Sequence, residues 1–159
     1  MRITILCVGR VKEKYFAGAI SEYMKRLTRY CRPEIIEVPD EKTPENAPPA
    51  VEQKIRETEG ARLIGKMSPD AYRVALAIDG KMLSSEELSG FLSERMVRGV
   101  SHLEFLIGGS LGLSEEVLRK ADFRLSFSRM TFPHQLMRVI LLEQVYRGFK
   151  IMAGEPYHK

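Results

Sequence analysis

The stretch EFLIGGSLGLSEEV, residues 104–117, decides the fold because three local patterns follow one another within it. Its apolar start is typical of a buried strand, and Gly108, Gly109 and Gly112 then indicate a tight turn. Ser114, with two acidic residues after it, is typical of the first turn of a helix. A strand, a glycine-rich turn and a helix form a unit of α/β folds that often holds a phosphate or a nucleotide.

The rest of the chain alternates between the same two kinds of element. Apolar and β-branched runs predict strands, and apolar residues spaced three and four apart predict helices. The predicted strands are residues 2–8, 33–38, 72–80, 102–109 and 123–128, and the predicted helices are residues 12–30, 51–67, 84–99, 114–121 and 134–152. This order predicts a single α/β domain over residues 1–159, with a mostly parallel sheet flanked by helices.

Two turn signals interrupt this alternation. Residues 39–50 contain four prolines and few apolar side chains, which predicts an exposed loop. Asp79 and Gly80 follow the third apolar run, and this dipeptide predicts a turn at the end of the strand.

The composition is that of an ordinary soluble protein, with 44% hydrophobic and 29% charged residues. No apolar run approaches the ~20 residues that cross a bilayer. The two cysteines, Cys7 and Cys31, belong to no CxxC motif or Cys/His cluster, so we expect reduced thiols and no bound metal. A cytoplasmic protein without a membrane partner is therefore expected.

The charge is unevenly distributed along the chain. Residues 1–32 carry eight basic and two acidic side chains, whereas residues 33–60 carry eight acidic and three basic ones. Basic ends around an acidic middle suggest a surface that meets a polyanion such as RNA, although solvated helix faces give the same pattern. The candidate contacts to the RNA backbone near the start of the chain are Arg10, Lys12, Lys14, Lys25, Arg26 and Arg29.

The glycine stretch does not fit the common nucleotide motifs. A dinucleotide fingerprint follows the first strand and needs an acidic residue at the end of the next one, but the strand after Gly112 ends in LSFS. No Gly-Lys-Ser/Thr follows the glycines, which argues against a phosphate-binding loop of the Walker type. A nicotinamide-dependent oxidoreductase is therefore disfavoured.

Three strand ends carry unusual sequence, namely ALAIDG (75–80), FLIGGSLG (105–112) and SFSRMTFPH (126–134). Ligands of parallel sheets bind outside the carboxyl ends of the strands, so neighbouring strands would bring these segments together. Exposed backbone amides, hydroxyls and apolar walls, without a lysine cradle, suit a neutral or zwitterionic adenosine-type ligand better than a triphosphate.

The last predicted helix is apolar nearly all round, and a small sheet cannot cover every apolar side chain on it. We therefore expect one face to pack on the sheet and another on a second copy of the chain, giving a homodimer. Glu143 in this helix is expected to pair with a cation or with the partner subunit. His134 at its start is expected to cap or pack more readily than to catalyse.

Four stretches together resemble a known family. LAIDGK (76–81), EFLIGGSLG (104–112), LSFSRMTFPHQLMRVILLEQVYR (125–147) and GEPYHK (154–159) are similar, in this order and spacing, to the small pseudouridine methyltransferases of the ribosomal large subunit, which belong to the SPOUT class. The resemblance covers essentially the whole chain. It implies a C-terminal trefoil knot, a homodimer, and methylation of N3 of a pseudouridine in 23S rRNA with S-adenosylmethionine as methyl donor.

The resemblance also implies which residues form the site. The residues implied to bind S-adenosylmethionine are Leu76, Gly108, Phe127, Ser128, Arg129, Met130, Thr131 and Phe132. Arg129 and Arg138 are expected near the pocket, where either can contact a substrate phosphate or the carboxylate of the donor, and Arg138 is assigned to RNA binding.

The C-terminal tail is the candidate for the catalytic groups. Tyr157 and His158 are expected to complete the active site, with His158 assisting proton removal or placement of the base, and Lys159 is expected to hold a phosphate. A frayed terminus is the alternative, since chain ends are often disordered.

Two functions from different classes stay open. The first is a donor-dependent rRNA methyltransferase, whose substrate is expected to be an assembled ribosome because so small a domain has little surface for reading RNA alone. The second is a non-catalytic RNA-binding factor for ribosome assembly, and donor binding distinguishes the two.

Overall fold

The computed structural model describes residues 1–159 and contains one sheet of five parallel strands with helices on both faces. The elements in chain order are β1 (Arg2–Val8), α1 (Lys14–Leu27), β2 (Arg32–Val38), α2 (Pro49–Ile64), β3 (Tyr72–Met82), α3 (Ser85–Val97), β4 (His102–Ile107), α4 (Glu115–Lys120), β5 (Phe123–Ser126) and α5 (His134–Met152). The predicted α/β class is confirmed, and α5 begins and ends at the predicted residues. The other bounds that differ shift by one to three residues.

The strands lie in the order β2-β1-β4-β3-β5, which brings the first and fourth strands to the middle of the sheet. All six residues of β4 are buried, and this explains why the chain is continuously apolar just before the glycines. Its one charged residue, Glu104, accepts the Ser68 backbone N–H at 3.0 Å and lies 3.6 Å from Arg73 Nε. The strand therefore satisfies the rule that a buried charge is paired.

Helices on the two faces of the sheet bury two separate cores. The larger core joins the sheet to α1, α3 and α5, and the smaller core joins it to α2 and α4. No helix combines the length and the apolar character needed to cross a membrane. The trefoil knot that the resemblance implies stays a prediction.

The predicted turn at Asp79-Gly80 is wrong, because β3 continues to Met82. Leu76 and Lys81 both pair with Leu125 of β5, so the residues between them leave the ladder and pairing resumes after them. Gly80 makes this possible, since a Cβ there would lie 2.8 Å from the Arg124 carbonyl carbon. We call residues 77–80 the β3 excursion; it leaves Ile78 51% exposed at the end of the sheet.

Two helices begin at the predicted serine caps. The Ser84 side chain accepts the Glu87 backbone N–H at 3.1 Å, and the Glu87 carboxylate accepts the Ser84 backbone N–H at 2.7 Å, which completes a capping box. The Ser114 hydroxyl accepts the Val117 backbone N–H at 3.3 Å and begins α4 directly after the glycine turn.

The proline-rich loop, residues 39–48, is tied to α2. Arg62 donates to the Pro39 carbonyl oxygen at 2.9 Å and pairs with the Glu41 carboxylate. Glu59 Oε2 accepts the Glu41 backbone N–H at 3.0 Å, while Glu59 Oε1 is buried without a hydrogen-bond partner. Burial, with additions from Asp40 and Glu41, raises the pKa of the Glu59 carboxyl group above its ordinary value.

The substitution Glu59→Gln tests this contact through pH. Because the pKa of Glu59 is higher in the folded chain than in the unfolded one, the folded chain retains a proton that the unfolded chain has already lost. The contribution of Glu59 to stability therefore falls as pH rises. We expect the free energy of unfolding of E59Q, relative to that of the unmodified chain, to increase between about pH 4 and about pH 7 in denaturant titrations.

The exposed Glu57 on the same helix supplies the matched control. Glu57→Gln should follow the pH dependence of the unmodified chain. If E59Q also runs parallel to the unmodified chain over this range, the burial assigned to the Glu59 carboxylate is wrong.

Candidate functional site

A cavity of about 840 Å³ opens at the carboxyl ends of β3, β4 and β5. The three unusual strand ends meet there, because Leu76, Gly108 and Met130 all line this one cavity. The cavity volume lies within the range typical of small-molecule sites, and about half of the lining residues are hydrophobic.

Seven of the eight residues implied to bind the donor line the cavity. They are Leu76, Gly108, Phe127, Ser128, Met130, Thr131 and Phe132. Arg129 lies in the same loop but is exposed and does not line the cavity, so the structure brings it close to the site without placing it there.

The glycine turn closes tightly on itself. A Cβ at Gly108 would lie 2.5 Å from the Gly112 carbonyl carbon, a distance that no side chain can occupy without moving the backbone. Gly112 has a φ of +85°, which favours glycine, and its backbone N–H donates to the Gly109 carbonyl oxygen at 3.1 Å. The turn therefore keeps its backbone at the cavity wall only while these positions are glycine.

The loop after β5, residues 127–133, forms the facing wall of the cavity. Ser128 shapes it, since its hydroxyl accepts the Met130 backbone N–H at 3.0 Å and its carbonyl oxygen accepts the Ser126 hydroxyl at 3.1 Å. Met130 is 74% exposed, which is unusual for a methionine beside a cavity. We call residues 127–133 the methionine loop.

Helix α2 contributes two charged side chains that the sequence did not single out. Glu52 and Arg56 lie one helical turn apart, line the cavity, and form an ion pair of 3.8 Å. Acid–base pairs at this spacing are common on exposed helices, so no sequence signal could have marked this one.

His134, the first residue of α5, also lines the cavity. Its ring packs under Gly9, where a Cβ would lie 3.2 Å from His134 Cε1, and this agrees with the expected packing role. Burial, followed by the Arg138 guanidinium, lowers the pKa of His134 below its usual value, so the imidazole is neutral at pH 7.

The expectation that Arg138 contacts RNA is wrong, because its side chain is 1% exposed. Its guanidinium donates to the Val8 and Gly9 carbonyl oxygens at 3.1 and 2.7 Å and to the Glu37 carboxylate at 2.6 Å. Helix α5 carries Arg138 into the angle between the helix and the ends of two strands, where backbone carbonyls need donors. Arg138 therefore holds the site together and has no surface to offer RNA.

The C-terminal tail runs back along α5 and lies outside the cavity of its own chain. The Tyr157 hydroxyl donates to Glu143 Oε1 at 3.1 Å, and the Tyr157 ring packs edge-on against Tyr146. Glu143 also pairs with Arg147, which agrees with the expected cation partner. The tail therefore packs against α5 of its own chain.

His158 contacts one cation and one anion through its two ring nitrogens. Its Nδ1 lies 3.2 Å from Arg147 Nη1, which can only donate a hydrogen bond. Its Nε2 lies 2.7 Å from Glu86 Oε1. Both ring nitrogens therefore have partners within their own chain.

The basic residues proposed for RNA form two groups at opposite ends of α1. Arg10, Lys12 and Lys14 are exposed just after the carboxyl end of β1, at the edge of the sheet that holds the cavity. The second group, at the other end of α1, is exposed as well and consists of Lys25, Arg26 and Arg29. Arg26 and Arg29 already pair with Glu22 and Glu155.

Lys159, the last residue, is exposed at the end of the tail. No group of three or more His, Cys, Asp or Glu side chains is arranged to hold a metal ion.

Comparison with known proteins identifies the family. A family model described as "Predicted SPOUT methyltransferase" matches residues 1–158. Proteins called ribosomal RNA large subunit methyltransferase H, from Carboxydothermus hydrogenoformans, Bifidobacterium adolescentis and Clostridioides difficile strain 630, are 57%, 57% and 58% identical to this chain. Each alignment covers all of both chains.

Two solved structures share the fold. A probable methylase family protein from Haemophilus influenzae superposes with a TM-score of 0.52 at 11% identity, covering 99% of this chain and 70% of that one. A putative methylase family protein from Neisseria gonorrhoeae gives 0.52 at 14% identity, covering 99% and 85%. With the match over nearly every residue and the full-length relatives, these similarities lead to one conclusion: the chain belongs to the SPOUT methyltransferase family.

Proposed function

We propose that this protein transfers a methyl group from S-adenosylmethionine to N3 of a pseudouridine in 23S rRNA of the ribosomal large subunit. The observation that carries the proposal is the convergence of Leu76, Gly108 and the methionine loop on one cavity. Full-length relatives at 57–58% identity are named as large-subunit rRNA methyltransferases, which supports rRNA as the substrate class.

The cavity fits the donor in size and chemistry. Leu76, Met130 and Phe132 offer apolar walls for an adenine ring, and the Gly108 turn places its backbone in the cavity wall. The lining lacks a lysine that could cradle a triphosphate. These features favour a donor that is adenosine-like and carries no polyphosphate.

When bound, the donor supplies a methyl group on a cationic sulfur, and the reaction is an in-line displacement by the RNA nitrogen. The task of the protein is then to align the reacting atoms and to help N3 lose its proton. His158 is the proposed group for the proton, because imidazole is the most common general base in enzymes and this one is only partly buried. Tyr157 is proposed to place the base beside it.

We infer that the tail acts across a homodimer. In its own chain it contacts α3 and α5 and does not line the cavity. Helix α5 still has partly exposed apolar residues after packing on the sheet, among them Val139 and Ile140, and these are the surface proposed to meet the second copy. In such a dimer, the tail of one subunit is proposed to reach the cavity of the other subunit.

Ribosomal RNA within an assembled large subunit is the proposed substrate, because the chain offers few surfaces for reading RNA sequence. Arg10, Lys12 and Lys14 are proposed to hold the RNA backbone at the cavity edge, with the distal basic group and Lys159 adding further contacts. A ribosomal substrate agrees with the cytoplasmic location expected from the sequence. The assembly-factor alternative requires no donor site, and the cavity disfavours it.

Gly108→Ala tests the donor site. The new methyl group would meet the Gly112 backbone at 2.5 Å, so the turn must shift into or away from the cavity. We expect the dissociation constant for S-adenosylmethionine, measured by calorimetry, to rise by about 10-fold or more, which corresponds to a loss of about 1.4 kcal/mol.

Gly90→Ala is the matched control, since Gly90 lies on the exposed face of α3 with no atom within 4 Å of a new Cβ. This variant should bind the donor like the unmodified protein. Equal binding by G108A would contradict the assignment of the turn to the donor site, and no binding by the unmodified protein would favour the assembly factor.

Removal of residues 156–159 tests the tail. We expect rRNA methylation, measured by mass spectrometry of nucleosides, to be lost. The dissociation constant for the donor should stay within about twofold of normal, because the tail lies outside the cavity. The milder change His158→Ala should lower turnover in the same direction with little effect on folding.

Mixed dimers decide whether the tail crosses the subunit boundary. The assay uses a donor concentration well below the dissociation constant of G108A, so that the altered cavity stays empty. A dimer of one tail-deleted chain and one G108A chain then has one working cavity and one complete tail, on different chains. Activity should exceed that of either parent if the tail serves the partner's cavity, and a mixture no more active than its parents would contradict the crossing.

The triple change Arg10→Gln, Lys12→Gln and Lys14→Gln tests the basic edge. Each phosphate contact adds about 0.7 to 0.9 to the slope of log affinity against log salt, so the slope for ribosome or RNA binding should fall by about 2 to 3. The double change Lys66→Gln and Lys120→Gln, at exposed lysines just before the amino ends of β3 and β5, should leave the slope intact. An unchanged slope in the triple variant would remove these residues from the interface.

A further inference from the structure

Two charged residues of the cavity, Glu52 and Arg56, have no role in the function proposed above. Both belong to α2, which packs on the face of the sheet opposite α5. They therefore approach the cavity from the side away from His134 and the start of the last helix. Among the 21 lining residues they are the only ones with a full charge at neutral pH, because His134 is neutral.

The pair is loosely held and is free to change partners. Arg56 Nη1 lies 3.8 Å from Glu52 Oε2, beyond the distance of a hydrogen bond. The Arg56 and Glu52 side chains are 29% and 37% exposed, so both groups are half-buried in the cavity wall. By contrast, Arg147 and Glu143 on α5 make direct hydrogen bonds.

We propose that Arg56 and Glu52 bind the amino-acid end of the methyl donor, Arg56 holding its carboxylate and Glu52 its ammonium group. This inference rests on the proposed function, since it assigns a second part of the same ligand. The adenosine-facing walls of Leu76, Met130 and Phe132 provide no charged partner for that end. A zwitterion brought into a largely apolar cavity without partners would be costly.

The charge pattern favours a zwitterion over an RNA phosphate. A phosphate site is built from cations and backbone amides, and the Glu52 carboxylate beside Arg56 would repel a phosphate. An amino acid carries a carboxylate and an ammonium group on the same carbon, which matches one cation and one anion a helical turn apart. Arg56 can donate two parallel hydrogen bonds to the carboxylate.

Two ligands separate the amino-acid end from the rest of the donor. S-Adenosylhomocysteine carries the amino acid, whereas 5′-methylthioadenosine has the same adenosine and sulfur without it. We expect Arg56→Gln to raise the dissociation constant for S-adenosylhomocysteine by about 10-fold or more in calorimetry, because hydrogen bonds to charged groups are the stronger kind. Binding of 5′-methylthioadenosine should change by less than about twofold. Glu52→Gln should also weaken S-adenosylhomocysteine selectively.

Lys54→Gln is the matched control, since it removes an exposed cation from the same helix outside the cavity. It should bind both ligands like the unmodified protein. The inference is overturned if R56Q binds S-adenosylhomocysteine normally, if it loses both ligands equally, or if only ribosome binding weakens. The last result would assign Arg56 to RNA phosphate.

Failure of the proposed function has a different signature. In that case the unmodified protein binds neither ligand, and this inference falls with the donor site. Normal binding of both ligands by the unmodified protein and by R56Q would retain the donor site and reject only the role of α2.

Discussion

The buried guanidinium of Arg138 joins three parts of the molecule that are far apart in sequence. It donates to the backbone carbonyls that end β1 and to Glu37 of β2, and it does so from the second turn of α5. The start of α5 is thereby held against the ends of two strands. The methionine loop must then span the short distance from β5 to this fixed point, which keeps it beside the glycine turn. Loss of the guanidinium would leave the two strand-end carbonyls without this donor, so the position of α5 beside the cavity depends on Arg138.

The elements of the fold could be read from periodicity because helix and strand patterns are local. The limits of α5 and the serine caps of α3 and α4 were predicted correctly for this reason. The predicted turn at Asp79-Gly80 is wrong because an Asp-Gly pair usually makes a turn, whereas here Gly80 allows contact with the Arg124 backbone. That contact lies on a strand 40 or more positions away, where a local pattern carries no information.

The candidate site also has parts that could be predicted from the sequence and parts that could not. The sequence could predict that Leu76, Gly108 and the methionine loop lie together, since parallel strands place their carboxyl ends at one edge of the sheet. Arg138 was misassigned because an arginine in an apolar helix gives no sign of whether it points to solvent or to strand carbonyls. The presence of Glu52 and Arg56 in the site could not be predicted, because their spacing is ordinary and only the packing of α2 turns them toward the cavity. The positions of the charged side chains thus depend on tertiary packing, whereas the grouping of the strand ends follows from the parallel sheet alone.

The β3 excursion implies that the two walls of the cavity differ in mobility. Pairing with Leu125 on both sides of residues 77–80 clamps the ends of the excursion, so this wall is already shaped before any ligand arrives. The methionine loop begins where strand pairing ends, and it carries a largely exposed Met130 at its centre. Entry of the donor and departure of the spent product should therefore proceed by displacement of the methionine loop, with the β3 side serving as a stationary template.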